Sequence, residues 1–297
     1  MWNPPPLPYF CDSSLVPASL PSTADIENAT SVLKDGSSRV LRVGDHFVVK
    51  YGPQIRRRIQ EGLNTIFVNQ NLTTPSPLVY ALYEEKGNAY LVMQYVAGQS
   101  LEQLWPGLQD RERRLILRKL RTVLDDMRSL TPPSPLFYGS VDRGPLPYFL
   151  FWTPKPQEMI NGPFDTEEQL YLGLVEQLRQ IYSDNNQHMS RVEWLRKHLP
   201  VSLKGHPPTF THGDIQKKNI LVDKIGKGQD DFRNEDDFSL TIVDWEDAGW
   251  YPSYFEYFIS YTSFLWDDDW PQLLEICLDA FPLQIAMLSP IYHGIFL

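Results

Sequence analysis

Between residues 39 and 96 the hydrophobic period changes in an order that few folds accommodate. RVLRV (39–43) and HFVVKY (46–51) alternate apolar with polar or charged residues, the pattern of half-buried strands. Gly44-Asp45 between them is a two-residue hairpin signal. From Gln54 to Asn71 the period becomes helical, with Ile55, Ile59, Leu63, Ile66 and Phe67 at helical spacing. LVYALYE (78–84) and YLVMQYV (90–96) return to strands, separated by the turn formers Gly87-Asn88. Strand, strand, helix, strand, strand predicts a small antiparallel-rich lobe with one helix packed on it.

The remaining chain reads as a larger, mainly helical lobe. The expected class is therefore α+β, with a Pro/Ser-rich arm at 1–22, a first lobe at 23–97 and a second at 98–297. PPPLP in the arm suits polyproline II, either docking a partner or lying on its own domain. Helices are expected at 109–130, from an Asp165–Glu168 capping pair to Tyr182, and at 190–199. A Pro-dense connection fills 131–163. Short strands are expected at 219–223 and 240–244, and two aromatic-rich helices, 253–266 and 270–281, close the chain.

Composition narrows the function classes. With 8 Trp, 15 Tyr and 15 Phe in 297 residues, the chain has the rings to build a core and is not disordered. No apolar run is long enough to span a bilayer. The start MWNPPPLPYF has no Lys or Arg before Lys34, so no export signal is read. Cys11 and Cys277 have no metal or redox spacing, and the expectation is a reduced, cytoplasmic protein. The net charge of −10 lies wholly after residue 200, where 16 acidic residues face 6 basic ones. That balance disfavours nucleic acid and anionic membrane as partners, and favours metal ions or a cationic small molecule.

Two segments carry chemistry. In Thr211-His212-Gly213-Asp214-Ile215-Gln216-Lys217-Lys218-Asn219-Ile220-Leu221 an Asp and an Asn stand five residues apart, ahead of an apolar strand. Phosphoryl transfer uses this spacing: the carboxylate accepts the proton of the attacking hydroxyl, and the amide oxygen holds a metal beside it. In Leu240-Thr241-Ile242-Val243-Asp244-Trp245-Glu246 an apolar strand ends in an Asp suited to Mg²⁺. Either alone reads as a turn Asp capping a strand. Together, in this order, they point to phosphotransfer. A third signal is Lys50 inside the apolar run Phe47-Val48-Val49, with Glu61 on the following helix as its partner. Such a pair holds an ammonium against the phosphates of ATP.

These segments resemble the aminoglycoside phosphotransferase-like phosphotransferase enzymes, a branch of the protein-kinase-like superfamily. The likeness rests on His212-Gly213-Asp214 with Asn219-Ile220-Leu221, and on Val243-Asp244-Trp245-Glu246-Asp247-Ala248-Gly249. The resemblance implies a bilobal fold with ATP in the cleft and a small-molecule acceptor carrying a hydroxyl. It implies Asp214 as catalytic base, Asn219 and Asp244 as Mg²⁺ ligands, and Lys50 with Glu61 as the phosphate-positioning pair. Met93-Gln94-Tyr95-Val96 would be the hinge whose backbone binds adenine.

Three departures stand out. No Gly-x-Gly-x-x-Gly precedes Lys50; only Asp35-Gly36-Ser37-Ser38 offers a phosphate-covering turn. Gln216-Lys217-Lys218 is unusual in the catalytic loop, where a Lys either touches the γ-phosphate or faces solvent. KIGKGQDDFRNEDDFS (224–239) lengthens the hairpin between the two metal ligands and reads as a solvated loop, since Glu235 stands where a calcium loop needs Gly. Pro252 follows Asp244 by only eight positions, which leaves no room for a protein kinase's peptide platform. The competing reading is a kinase-like nucleotide-binding or scaffold protein without turnover. Among the late acidic residues, Glu246, Asp247, Glu256 and Asp267-Asp268-Asp269 lie amid rings from Trp245 to Trp270, which suits a cationic acceptor.

Overall fold

A computed structural model describes residues 2–36, 38–225, 234, 237–263 and 268–296. In chain order the first elements are β1 (Tyr9–Phe10), α1 (Thr23–Glu27), β2 (Ser31–Lys34), β3 (Arg39–Val43), β4 (Phe47–Gly52) and α2 (Ile55–Asn71). Next come β5 (Val79–Glu85), β6 (Asn88–Gln94), β7 (Gln99–Ser100), α3 (Leu101–Leu104) and α4 (Asp110–Arg128). They are followed by α5 (Glu158–Asn161), α6 (Glu167–Asp184), α7 (Ser190–Ser202), β8 (Pro208–Thr211), β9 (Ile220–Lys224) and β10 (Phe238–Ile242). The last are β11 (Gly249–Pro252), α8 (Phe255–Thr262), α9 (Trp270–Leu273) and α10 (Pro282–Phe296). The class is α+β.

The chain divides into two compact units. One comprises Trp2–Leu108 with Lys217–Glu246, and the other Gln109–Gln216 with Asp247–Leu297. In the first, six strands make an antiparallel sheet in the order β1-β5-β6-β4-β3-β2. Val49 of β4 and Val92 of β6 are partners in the register, and both are buried. With Leu41, Tyr80, Tyr90 and Ile26 they form one apolar core. The inward residues of α2 include Leu63, Ile66 and Phe67, all buried. Burying each such side chain is worth about 1.5–3 kcal/mol. The segment 217–246 joins this unit through specific bonds. Asn64 Nδ2 donates to Trp245 O at 2.7 Å, and Ile242 N donates to Pro75 O at 2.9 Å. Its β10 and β9 pair as a hairpin, with β7 on the other side of β9. Gly98 precedes β7 at φ +110°, where an added Cβ would lie 2.6 Å from Val222 O, so only glycine fits.

The second unit is mainly helical, with β8 and β11 as a two-stranded ribbon. Tyr171, Leu174 and Leu178 of α6 pack with Leu195 of α7, Phe255 and Phe258 of α8, and Ile291 of α10. A capping box of Gln109 and Glu112 opens α4.

Several sequence expectations shift. The cap of α6 is Thr166, whose side chain accepts from Gln169 N, rather than Asp165 with Glu168; Asp165 N instead donates to Gln169 Oε1. The helix expected at 270–281 is one α turn, with Pro271 in its first turn, followed by a 3-10 turn, Leu274–Ile276. The chain closes on α10, a helix with no counterpart in the sequence expectations. Strand β10 ends at Ile242, so Asp244 lies beyond it. The 131–163 connection holds α5 and a 3-10 turn at Phe149–Phe151. Most of the 224–239 loop lies outside the described residues, and both cysteines are free. Among the described residues no helix is long and apolar enough to cross a membrane.

Candidate active site

In the unit that carries the six-stranded sheet, Lys50 is the centre of a charge network. It sits on β4 between the apolar partners Leu91 and Val40, with its side chain mostly buried. Its Nζ donates to Glu61 Oε1 at 2.5 Å and to Asp244 Oδ1 at 2.7 Å. Glu61 is 1% exposed on α2, so its charge depends on these partners. Its other oxygen accepts from Arg58, one helical turn earlier. Arg57, beside it, pairs with Glu246 at 2.8 Å. The expected Lys50–Glu61 pair is therefore present, and Arg58 and Glu246 join it.

Asp244 has φ +69°, a left-handed conformation that non-glycine residues seldom take. Val243 N donates to Asn219 O at 3.0 Å, which ties the two expected metal ligands into one backbone arrangement. Asn219 itself ends the 3-10 turn Lys217–Asn219 and is buried. Oxygens of Glu61, Asp244 and Glu246 lie within 4.8 Å of one another. Both Glu61 oxygens are taken by Lys50 and Arg58, so Asp244 and Glu246 are the carboxylates of this group that could serve a hard divalent cation.

The residues expected to form the hinge, Met93 to Val96, lie at the end of β6 and just beyond it. Met93 is buried; Gln94 N donates to Leu78 O at 2.8 Å, and Tyr95 N to His46 O at 2.8 Å. Two N–H groups of this expected hinge are thus already bonded to backbone carbonyls. Arg42 lies over the Tyr95 ring, 4.1 Å from its centroid. In the expected phosphate-covering turn, Ser38 Oγ accepts from Arg58 Nη2 and Gly36 N donates to Asp35 Oδ1 at 3.1 Å. Ser37 lies outside the described residues. Lys217 Nζ lies 5.4 Å from the Trp105 ring centroid, and Lys218 is exposed.

Asp214 belongs to the helical unit, on the segment that leaves β8. A buried carboxylate holds this segment. Glu256 of α8, 2% exposed, accepts from His212 N at 2.6 Å and Gly213 N at 3.2 Å. The His212 ring then accepts from Asp214 N through Nδ1 at 3.1 Å, which leaves the ring proton on Nε2. Three consecutive N–H groups are thereby fixed. Gly213 permits the bend, at φ +82°, where a Cβ would lie 2.8 Å from Asp247 O. Gln216 donates its side-chain amide to Asp214 Oδ1. Glu256 and Gln216 were not singled out for these roles in the sequence. Glu256 lies inside an aromatic run that signals core, and Gln216 has no charge to draw notice.

Burial pushes the Glu256 carboxyl from its ordinary 4.5 up to about 7, against the stabilising pull of the two backbone N–H groups. Between those two values the folded chain keeps a proton that the unfolded chain has lost. The contribution of this one group to stability is then greatest below pH 4.5, falls as pH rises to about 7, and is level above. The expected loss is about 3 kcal/mol. Glu256→Gln, which does not titrate, should lack this slope in melts between pH 5 and 8. Identical slopes in the two proteins would refute it.

The rings and acids expected to suit a cationic acceptor are largely spent within the fold. Trp245, Trp250, Tyr251, Tyr254, Phe255, Tyr257, Phe258 and Trp270 are buried. Asp269 pairs with Arg113 at 2.6 Å, Asp268 accepts from Trp270 N, and Glu256 holds the loop. Trp266 and Asp267 lie outside the described residues.

The model of the phosphotransferase enzyme family matches residues 23–282. The chain belongs to this family. Solved structures share the fold at low identity. The gentamicin complex of aminoglycoside phosphotransferase APH(2'')-IIa is 15% identical, with a TM-score of 0.58 over 89% of this chain and 82% of that one. ADP-bound APH(2'')-Ib is 14% identical, with a TM-score of 0.58 over 90% and 85%. A fructosamine-3-kinase, so described as putative, from Haemophilus somnus 129PT is 14% identical, with a TM-score of 0.56 over 90% and 82%. These likenesses establish the kinase-like α+β fold that the motifs imply. No curated protein matches the chain.

Proposed function

We propose that this member of the family is an ATP-dependent phosphotransferase that moves the γ-phosphate to a hydroxyl of a small molecule. The observation that carries the reading is Lys50 bonded at once to Glu61 and Asp244, residues 11 and 194 positions away. A Lys ammonium so held has a third N–H to offer a phosphate oxygen. Val96 N–H and the Gln94 carbonyl read the adenine edge, since Gln94 N and Tyr95 N are already bonded.

Asp214 orients the acceptor hydroxyl and takes its proton as the oxygen attacks the γ-phosphorus. The new oxygen–phosphorus bond forms as the bond to the β,γ-bridging oxygen breaks, and ADP leaves with that oxygen. Gln216 fixes the Asp214 carboxylate, and Glu256 fixes the backbone under it. Asn219 and Asp244 would hold Mg²⁺, with Glu246 nearby. When bound, the ion supplies positive charge to the phosphate oxygens. The acceptor's charge is left to the test, since among the acids that suggest a cationic one Glu246, Glu256, Asp268 and Asp269 are bonded within the fold.

The test is ADP release with Mg²⁺-ATP against a panel of small alcohols. Gentamicin and a fructosamine belong in it because structures sharing this fold bear those names, alongside neutral sugars and amino alcohols. The expected result is Mg²⁺-dependent phosphorylation of at least one compound. Lys50→Ala should weaken ATP binding by about 10- to 100-fold without unfolding the chain. Tight Mg²⁺-ATP binding with no transfer across the panel would favour the binding or scaffold reading instead.

A further inference from the structure

We propose that Arg58 binds the polyphosphate of the nucleotide through the side-on edge of its guanidinium, beside Ser38. This rests on the reading of the site around Lys50 as a nucleotide site. Arg58 is 5% exposed, an unusual depth for a guanidinium. Nη1 donates to Glu61 Oε2 and Nη2 to Ser38 Oγ. Nε is buried without a hydrogen-bond partner among the described residues. A charged donor left unmade in the interior is costly and calls for an acceptor.

The local charge names that acceptor. Glu61 has both oxygens engaged, one by Lys50 and one by Arg58, so two cations share one anion there. Asp244 is the second partner of Lys50, and Glu246 is paired with Arg57. Glu246 and Asp244 act on Arg58 through space, but Nε has no acceptor among the described residues, and Nη2 on the same edge of the guanidinium reaches Ser38. The Nε–Nη2 fork matches two oxygens of a phosphate, which Lys cannot offer. The position also answers a sequence departure. With no Gly-x-Gly-x-x-Gly ahead of Lys50, the run of backbone N–H groups that usually covers phosphates is missing. Arg58 supplies side-chain donors in its place.

The experiment compares ADP with adenosine by calorimetry, or by ligand-observed magnetic resonance where binding is weak. Proteins are the wild type, Arg58→Ala, Arg58→Lys, Ser38→Ala and Lys50→Ala. Arg58→Ala should lose about 10- to 100-fold in ADP affinity and keep adenosine affinity at the wild-type level. Ser38→Ala should give a smaller loss for ADP only. If Ala at 58 unfolds the chain, Arg58→Lys decides. It keeps a charge facing Glu61 but lacks the fork, and should still lose about 10-fold for ADP. Equal losses for ADP and adenosine would mean a merely structural role and overturn the proposal. Wild-type ADP affinity in both Arg58 variants, with Lys50→Ala weakened, would overturn it and leave the nucleotide reading standing. A wild type that binds no nucleoside phosphate would overturn both.

Discussion

Asp214→Asn should lower kcat by about 10²–10⁴-fold, the usual contribution of a positioned general base. The substitution is well isolated. Asp214 N is held by the His212 ring, a bond that does not involve the 214 side chain. The amide oxygen of Asn can still accept from Gln216, as Asp214 Oδ1 does now. Glu256 continues to hold the backbone at His212 and Gly213. The loop should therefore keep its shape and lose only the group that takes the proton. Mg²⁺-ATP affinity measured by calorimetry should stay near wild type, since the proposed phosphate contacts come from Lys50 and Arg58. Unchanged turnover with a confirmed acceptor would remove Asp214 from the reaction.

The second large effect is expected at Asp244. Asp244→Asn should abolish most of the Mg²⁺-dependent gain in ATP affinity and lower turnover by roughly 10²–10³-fold, as loss of transition-state charge stabilisation does. Asn is the right replacement because the φ of +69° is one it tolerates, whereas Ala there would be strained. Lys50 keeps its bond to Glu61, so the buried ammonium is not orphaned. Titrations of ATP with and without Mg²⁺ would show the two curves converging in the variant. A variant with the same Mg²⁺ enhancement as the wild type would contradict the assignment.

The parts of the fold that could be read from sequence are those where the pattern is also the packing. Residues 39–43 form β3 as expected, because Leu41 faces the core while its neighbours are only half buried. The helix over 54–71 differs from α2 by one residue. Strand β2 was silent: all four of its residues are exposed, so no alternation marks it, and it exists by pairing with β3. The helix α10 was silent for another reason. Its composition is apolar nearly all round and Pro290 stands inside it, so neither periodicity nor the absence of breakers announced it.

The site divides in the same way. Lys50 drew notice because a charge in an apolar strand needs a partner, and the nearest acid on the next helix was that partner. Arg58 sits in the run Arg56-Arg57-Arg58, which reads as a solvated face, although 58 alone turns inward. Glu256 has a helical position among Phe255, Tyr257 and Phe258, where a carboxylate is concealed by its neighbours. Glu256 is decided by backbone partners 44 and 43 positions away, and Arg58 by burial between Glu61 and Ser38, which the exposed Arg56 and Arg57 beside it conceal.

The bond between Lys50 and Asp244 spans 194 positions, and that between Asn64 and the Trp245 carbonyl spans 181. On the ribosome these early groups must therefore wait for the last third of the chain. At about 5–20 residues per second, the delay between synthesis of the two ends is roughly 10–40 s. Throughout that interval the nascent sheet has a mostly buried ammonium, Lys50, and a buried amide, Asn64, without these late companions. A fragment ending at Leu108 would be frozen in this unfinished condition. The same chain crossing makes the unit a clasp, fastened only when translation is nearly complete.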